Sequence, residues 1–162
     1  MFGLFKKVHD SSTMFADGNW QVAQGEYDGS PIVVRINANL RSFVGKSELV
    51  LKIGIAIPLN NPRTGEMPDP EENKAVSIIE DKVLEMLKSK GSAVQALAIT
   101  TGTFKEFVYY TKPEIDVASF HQELKNGISS HEVQCIATIE KNWETYLQWA
   151  KEPLKNCRFE RQ

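Results

Sequence analysis

The sequence predicts an α+β domain in which the strands of one antiparallel sheet alternate with two helices. Three observations lead to this prediction. Residues 69–91 form the clearest helical segment, with a cap at each end and an apolar stripe between the caps. Residues 20–37 and residues 94–110 each contain two strand-like runs joined by a short turn. A chain of 162 residues is long enough to build one domain with its own core.

The first predicted element is a β-hairpin. Two strand-like runs, 20–26 and 32–37, flank a turn at Asp28 and Gly29. Glycine accepts the positive φ angle that a tight hairpin turn needs. Pro31 suits the start of the second strand, where a missing N–H group is tolerated.

A nearly continuous apolar run at residues 48–57 predicts a buried central strand. The run is short and rich in Ile and Val, which favours a strand over a helix. Residues 59–68 follow, and their Asn, Pro and Gly content predicts a loop. Binding residues are often found on such loops.

Residues 70–90 predict an amphipathic helix. Asp69 is placed to cap its first turn, and Glu72 is placed to close a capping box. Gly91 is predicted to be a left-handed cap at the other end. The carboxylates of this helix, including Glu72 and Glu80, are expected to serve capping, the helix dipole and solvation.

The remaining chain predicts a second hairpin, a second helix, a last strand and a short aromatic helix. In chain order they occupy residues 94–110, 116–126, 129–139 and 142–150. The order from residue 48 onward is therefore β-α-β-β-α-β, the ferredoxin-like arrangement with both cross-over helices on one face of the sheet. We expect the N-terminal hairpin to extend this sheet and the last helix to cover one end of it.

Composition limits the classes of function. The chain is 41% apolar and 25% charged, which is typical of a soluble globular protein. Its 19 basic and 21 acidic residues give a net charge of −2, so nucleic acid is not an expected partner. Residues 1–18 are expected to be a lead-in segment, residues 19–150 the domain and residues 151–162 a polar tail. Neither an export signal nor a membrane span is indicated, and the expected location is the cytoplasm.

No catalytic, cofactor or metal motif stands in the sequence. The three histidines are not paired at a spacing of four residues, and the two cysteines do not form a Cys-x-x-Cys motif. A nucleophile elbow and a glycine-rich phosphate loop are both missing from the sequence. The sequence therefore predicts no catalytic residue, no cofactor and no metal ligand, and it favours a protein that is not an enzyme.

The first candidate site is a cluster of aromatic residues on the last predicted helix, namely Trp143, Tyr146 and Trp149. If this cluster is partly exposed, it forms a surface for a protein partner. Aromatic residues at this spacing also serve as core residues, so both interpretations stay open.

The second candidate site combines a loop and a turn. It consists of Arg63, Thr100, Thr101 and Thr103. Hydroxyl groups around a glycine turn, next to a loop, could hold a small anion or another small molecule. The same threonines are also typical of an ordinary hairpin turn.

Four segments together indicate a family. They are Trp20 to Asn37 around Tyr27-Asp28-Gly29-Ser30-Pro31, Gly65 to Pro68 leading into Ile78-Ile79-Glu80-Asp81, Ile99 to Gly102 with Glu106 to Tyr110, and Trp143-Glu144-Thr145-Tyr146. Their order and spacing resemble the bacterial domain-of-unknown-function 695 family over about residues 19–150. The family has no established activity, so the resemblance implies a fold and a class. It also implies similarity to the ferredoxin-like B-type inhibitor of ribonuclease E, which likewise has a Trp-x-x-Tyr element near its end. The family often has an acidic residue just before that Trp, where this chain has Asn142.

These observations favour a cytoplasmic protein-binding module that regulates or inhibits another protein without catalysis. One alternative is a small-molecule binder or an enzyme that uses the 59–68 loop and the 100–103 turn. A further alternative is an immunity-type protein that neutralises a toxin. The largest pocket and the largest exposed apolar patch would distinguish the first two hypotheses. The identity of the partner and the oligomeric state are not predicted.

Overall fold

The computed structural model describes residue 14, residues 19–150 and the backbone of residues 158–160. Most of the predicted lead-in segment and of the predicted polar tail lies outside these residues. The elements are β1 (Trp20–Tyr27), β2 (Ser30–Asn37), a 3-10 helix (Ala38–Phe43), β3 (Leu51–Pro58), α1 (Pro70–Lys90), β4 (Ala93–Thr100), β5 (Phe104–Thr111), α2 (Val117–Gly127), β6 (Gln134–Ile139), α3 (Glu144–Ala150) and β7 (Arg158–Glu160).

All strands belong to one sheet, in the order β6-β3-β5-β4-β2-β1-β7. The first six are joined by antiparallel pairs, and β7 joins β1 in parallel. The predicted α+β class and the antiparallel sheet are thus confirmed. The N-terminal hairpin extends the sheet as expected, because β2 pairs with β4.

The turn between β1 and β2 has the predicted chemistry. Asp28 and Gly29 have φ angles of 57° and 80°, and the flanking residues Tyr27 and Ser30 pair with each other. Two successive positive φ angles define the primed hairpin turn whose twist matches that of the strands. The local sequence therefore fixes the register of the first hairpin.

The two faces of the sheet are covered by different layers. Helices α1 and α2 pack on one face, around Ile53, Ile55 and Phe107. The 3-10 helix and α3 pack on the other face, around Val34 and Ile36. Helix α3 therefore lies on the opposite face from α1 and α2, whereas we had expected it to cover one end of the sheet. Its buried aromatic residues need an apolar surface, and this face of β2 and β4 supplies one.

The ends of α1 agree only in part with the prediction. Asp69 caps the first turn by accepting hydrogen bonds from two backbone N–H groups. Glu72 forms no capping box, because its carboxylate accepts hydrogen bonds from the backbone N–H groups of Asn60 and Asn61. Gly91 has φ 151° and ψ −167°, which is not the left-handed helical conformation that was predicted.

Candidate functional site

The structure buries the aromatic cluster that was predicted as a partner surface. Trp143, Tyr146 and Trp149 all belong to the core layer beneath α3. Trp143 stacks on Tyr110 with ring centroids 4.7 Å apart, and its Nε1 donates a hydrogen bond to the carbonyl of Leu49 over 2.7 Å. The expectation of an exposed surface is wrong here, because the apolar face of α3 closes one side of the sheet.

The loop and the turn of the second candidate site lie against each other. The backbone N–H of Arg63 donates to the carbonyl of Gly102 over 2.7 Å, and that of Leu59 donates to the carbonyl of Thr103 over 2.9 Å. A Cβ atom on Gly102 would clash with the carbonyl oxygens of Arg63 and Glu66. Only glycine permits this approach, so the two segments pack closely.

The hydroxyl group of Thr101 acts within the turn. Its Oγ1 accepts hydrogen bonds from the backbone N–H groups of Thr103 and Phe104, each over 3.2 Å. Such side-chain bonds stabilise a turn. Neither of the two cavities described below contains Arg63, Thr100, Thr101 or Thr103. A ligand site at this junction therefore remains a prediction.

A cavity of about 240 Å³ lies between α1 and the strands β1, β2 and β4. We call it the polar groove. Its lining includes Arg35, Asn37, Glu80, Lys88 and Gln95. A second cavity, of about 150 Å³, lies at the C-terminal end of α1. The polar groove was not predicted from the sequence, because its residues come from distant parts of the chain.

A network of charged and polar side chains forms the floor of the polar groove. Glu80 Oε2 lies 2.6 Å from Arg35 Nη2 and accepts a hydrogen bond of the same length from Gln95 Nε2. The guanidinium carbon of Arg35 lies 5.3 Å from the centroid of the Trp20 ring. This distance allows a cation–π interaction that holds the guanidinium group in place. The expectation that Glu80 serves capping, the helix dipole and solvation is wrong, because its side chain is a buried acceptor.

The network continues beneath α1 to a buried lysine. Lys105 Nζ donates a hydrogen bond to Asn73 Oδ1 over 2.8 Å. Burial lowers the pKa of Lys105, although the charge of Glu80 opposes this shift. Burial, together with the charge of Glu80, raises the pKa of Tyr109 well above its usual value. Charged groups therefore extend from the polar groove into the layer between α1 and the sheet.

A second polar cluster joins three segments near the start of α1. His131 Nε2 lies 2.7 Å from Glu72 Oε2, and the two side chains are 4% and 5% exposed. Asn60 Nδ2 donates a hydrogen bond to the carbonyl of Ser130 over 3.0 Å. His131 lies in a loop, because β6 begins at Gln134 rather than near residue 129 as predicted. We call this cluster the Glu72–His131 junction.

The Glu72–His131 junction contains the groups of a nucleophilic triad. Ser130 Oγ lies 3.1 Å from His131 Nδ1, and Glu72 lies at the other ring nitrogen. A hydroxyl, a base and an orienting acid in contact are the usual signature of a nucleophile. Ser130 lies on an exposed segment, and the carboxylate of Glu72 also binds two backbone N–H groups. These contacts favour a structural junction.

The strand β6 forms one edge of the sheet. Among the described residues it pairs with β3 alone, so its outer backbone groups face away from the sheet. Its sequence, Gln-Cys-Ile-Ala-Thr-Ile, contains no charged residue and no proline. Ile136 and Ile139 are 67% and 52% exposed. The outer edge of β6 is therefore a candidate surface for binding, separate from the polar groove.

Two features are absent from the described part of the chain. No group of three His, Cys, Asp or Glu residues there could hold a metal ion. No helix in the same part has both the length and the apolar character needed to cross a membrane.

The strand order and the two helical layers define the class of protein as an α+β domain with an antiparallel sheet. Residues 18–149 match the family of unknown function DUF695, and the chain belongs to this family. The resemblance that the four sequence segments indicated is thus confirmed. No curated protein and no solved structure matches the chain. The similarity to the inhibitor of ribonuclease E remains a prediction.

Proposed function

We propose that this DUF695 domain is a non-catalytic, cytoplasmic protein-binding module whose edge strand β6 receives an extended segment of a partner protein. The observation that supports this proposal best is the outer edge of β6, which carries no charged residue and pairs with no strand among the described residues. Backbone N–H and C=O groups at a sheet edge pair readily with an added strand. Natural proteins usually protect such an edge with lysine, proline, a bulge or a covering element.

The side chains of β6 favour the same interpretation. Ile136 pairs with Gly54 of β3, so the neighbouring strand offers it no side chain at this position. An apolar side chain of an added strand could cover Ile136 and gain burial energy of about 25 cal/mol per Å².

We also infer that the chain contains a ferredoxin-like unit, which consists of β3, α1, β4, β5, α2 and β6. The order β6-β3-β5-β4, the antiparallel pairs and the position of both helices on one face support this inference. In this unit β6 is an outer strand. A module that acts by binding alone occupies its partner, so a regulatory or inhibitory role is the expected consequence.

The test compares two exposed isoleucines. A photo-crosslinking residue is placed at Ile136, or at Ile78 of α1, which is 65% exposed and lies away from the edge. We expect a partner protein to be cross-linked from position 136 and not from position 78. We also expect Ile136→Lys to abolish capture of that partner and Ile78→Lys to leave it unchanged.

Two results would contradict the proposal. One is capture of the same partners by Ile136→Lys and by the wild type, with circular dichroism showing that both are folded. The other is cross-linking from position 136 only to a second copy of the chain. The second result would make β6 a surface for self-association.

A further inference from the structure

We propose that the polar groove binds a free α-amino acid. In this arrangement the α-carboxylate lies at Arg35 and the ammonium group at Asp81. The side chain extends along α1 past Leu84 towards Lys88. This site is independent of the edge strand β6.

The volume of the polar groove restricts the size of the ligand. At about 240 Å³ it lies just below the range of pockets for drug-sized molecules. A nucleotide or a peptide would therefore not be enclosed. A molecule of amino-acid size fits, and the groove opens to solvent so that it can enter.

The groove offers an anion site on one wall. Only Nη2 of the Arg35 side chain contacts Glu80, and this side chain is 37% exposed. Arginine carries five donors in a planar fork that matches a carboxylate. Trp20 lies over the guanidinium group and Glu80 holds one side of it, so the remaining donors are oriented before a ligand arrives.

The opposite wall offers a cation site and a second anion site. Asp81 and Lys88 both line the groove, and each is exposed. Within the described residues neither side chain forms an ion pair or a hydrogen bond. Among these residues, nothing therefore competes with a ligand for either charge.

The spacing of the groove residues along α1 determines which side chain of the amino-acid ligand fits. Asp81, Leu84 and Lys88 stand at i, i+3 and i+7, so they follow one another on the same side of the helix. The half-buried Leu84 can contact an apolar stem, and the ammonium group of Lys88 can reach an acceptor at its tip. Glutamate and glutamine have this sequence of groups. Lysine, with a cationic tip, would meet Lys88 unfavourably.

Nuclear magnetic resonance of the full chain tests the site directly. L-glutamate, L-glutamine and L-lysine are added separately, and the side-chain amide of Gln95, which lines the groove, reports binding. We expect glutamate or glutamine to shift this signal more strongly than lysine does. N-acetyl-glutamine lacks the ammonium group, and glutamine α-amide lacks the carboxylate. Both should bind at least about threefold more weakly.

Exposed residues of α1 provide matched variants. Asp81→Asn and Lys88→Gln should weaken binding about threefold to tenfold, whereas Glu85→Gln and Lys74→Gln, outside the groove lining, should not. The proposal is overturned if no amino acid shifts the Gln95 signal. It is also overturned if N-acetyl-glutamine binds as tightly as glutamine, or if Asp81→Asn binds glutamine as tightly as the wild type does. None of these results bears on capture through β6, which Ile136→Lys tests separately.

Discussion

At the scale of single residues, the carboxylate of Glu72 connects three segments of the chain. It belongs to the first turn of α1 and contacts the loop at Asn60 and Asn61 as well as His131 before β6. Burial alone would raise the pKa of Glu72. The two backbone N–H groups and the imidazole outweigh burial and hold this pKa below its usual value.

This direction predicts how stability depends on pH. A carboxyl group whose pKa is lower in the folded state stabilises the fold above its unfolded pKa of about 4.3. That contribution is lost as the pH falls through the folded pKa. We expect Glu72→Gln to lower the free energy of unfolding at neutral pH by about 1.5–3 kcal/mol. The difference from the wild type should shrink as the pH is lowered below about 4.

Urea unfolding at neutral and acidic pH measures this difference. The exposed Glu85 of the same helix supplies the control, because Glu85→Gln should change stability little at either pH. A Glu72→Gln variant as stable as the wild type at neutral pH would contradict the importance of the junction.

Residue chemistry explains which contacts could be predicted. Asp69 as a helix cap and the turn at Asp28 and Gly29 depend on neighbours within three positions, so the sequence shows them directly. Glu72 meets His131 across a separation of 59 positions. No local pattern marks such a pair, and the same glutamate also fits a capping box. The local interpretation was therefore reasonable and wrong.

At the scale of elements, α3 shows how packing decides the role of a short helix. It has seven residues, fewer than the roughly 12–15 that an isolated helix needs. Its position therefore depends on tertiary contacts, above all those of Trp143, Tyr146 and Trp149. An aromatic stripe is equally compatible with a core and with a surface. Only the neighbouring face of the sheet distinguishes the two.

This interpretation predicts a large effect of shortening Trp143. Trp143→Ala should lower the free energy of unfolding by about 3–5 kcal/mol, because it removes the stack on Tyr110 and leaves a cavity. Trp143→Phe keeps a ring but loses the hydrogen bond to Leu49, which should cost about 1–3 kcal/mol. Thermal and urea unfolding measure both. Ile78→Ala, at an exposed position, is the control, and a Trp143→Ala variant as stable as this control would show that the cluster is not core.

At the scale of the whole molecule, the two helical layers are staggered across the sheet. The layer of α1 and α2 covers strands β3, β4 and β5, and its core contains no residue of β1 or β2 among those described. The layer of α3 covers β2, β4 and β5, and its core likewise contains no described residue of β3 or β6. Each face of the sheet therefore has an end that the described helices leave open. The polar groove lies at one open end and the exposed Ile136 at the other.

This stagger explains why the elements could be predicted while the candidate sites could not. The hairpins, α1 and α2 follow from turns, caps and apolar periodicity within the chain. The polar groove and the exposed Ile136 lie where one helical layer no longer covers the sheet. That place depends on how the two helical layers are positioned relative to each other. Arg35 of β2 and Glu80 of α1, for example, meet only because α1 packs on the sheet beside β2.

The predicted domain boundary at residue 19 gives the last prediction. Met14, within the predicted lead-in segment, is buried in the same core layer as Trp143. We expect a fragment of residues 19–150 to unfold in one cooperative transition, but with a free energy of unfolding about 2–5 kcal/mol below that of the full chain. Met14→Ala in the full chain should reproduce part of this loss.

Urea unfolding of all three proteins measures the loss of stability, since the midpoint and the slope report stability and cooperativity separately. A fragment without a cooperative transition would show that the domain needs residues outside 19–150, and a fragment as stable as the full chain would show that Met14 adds nothing to the core.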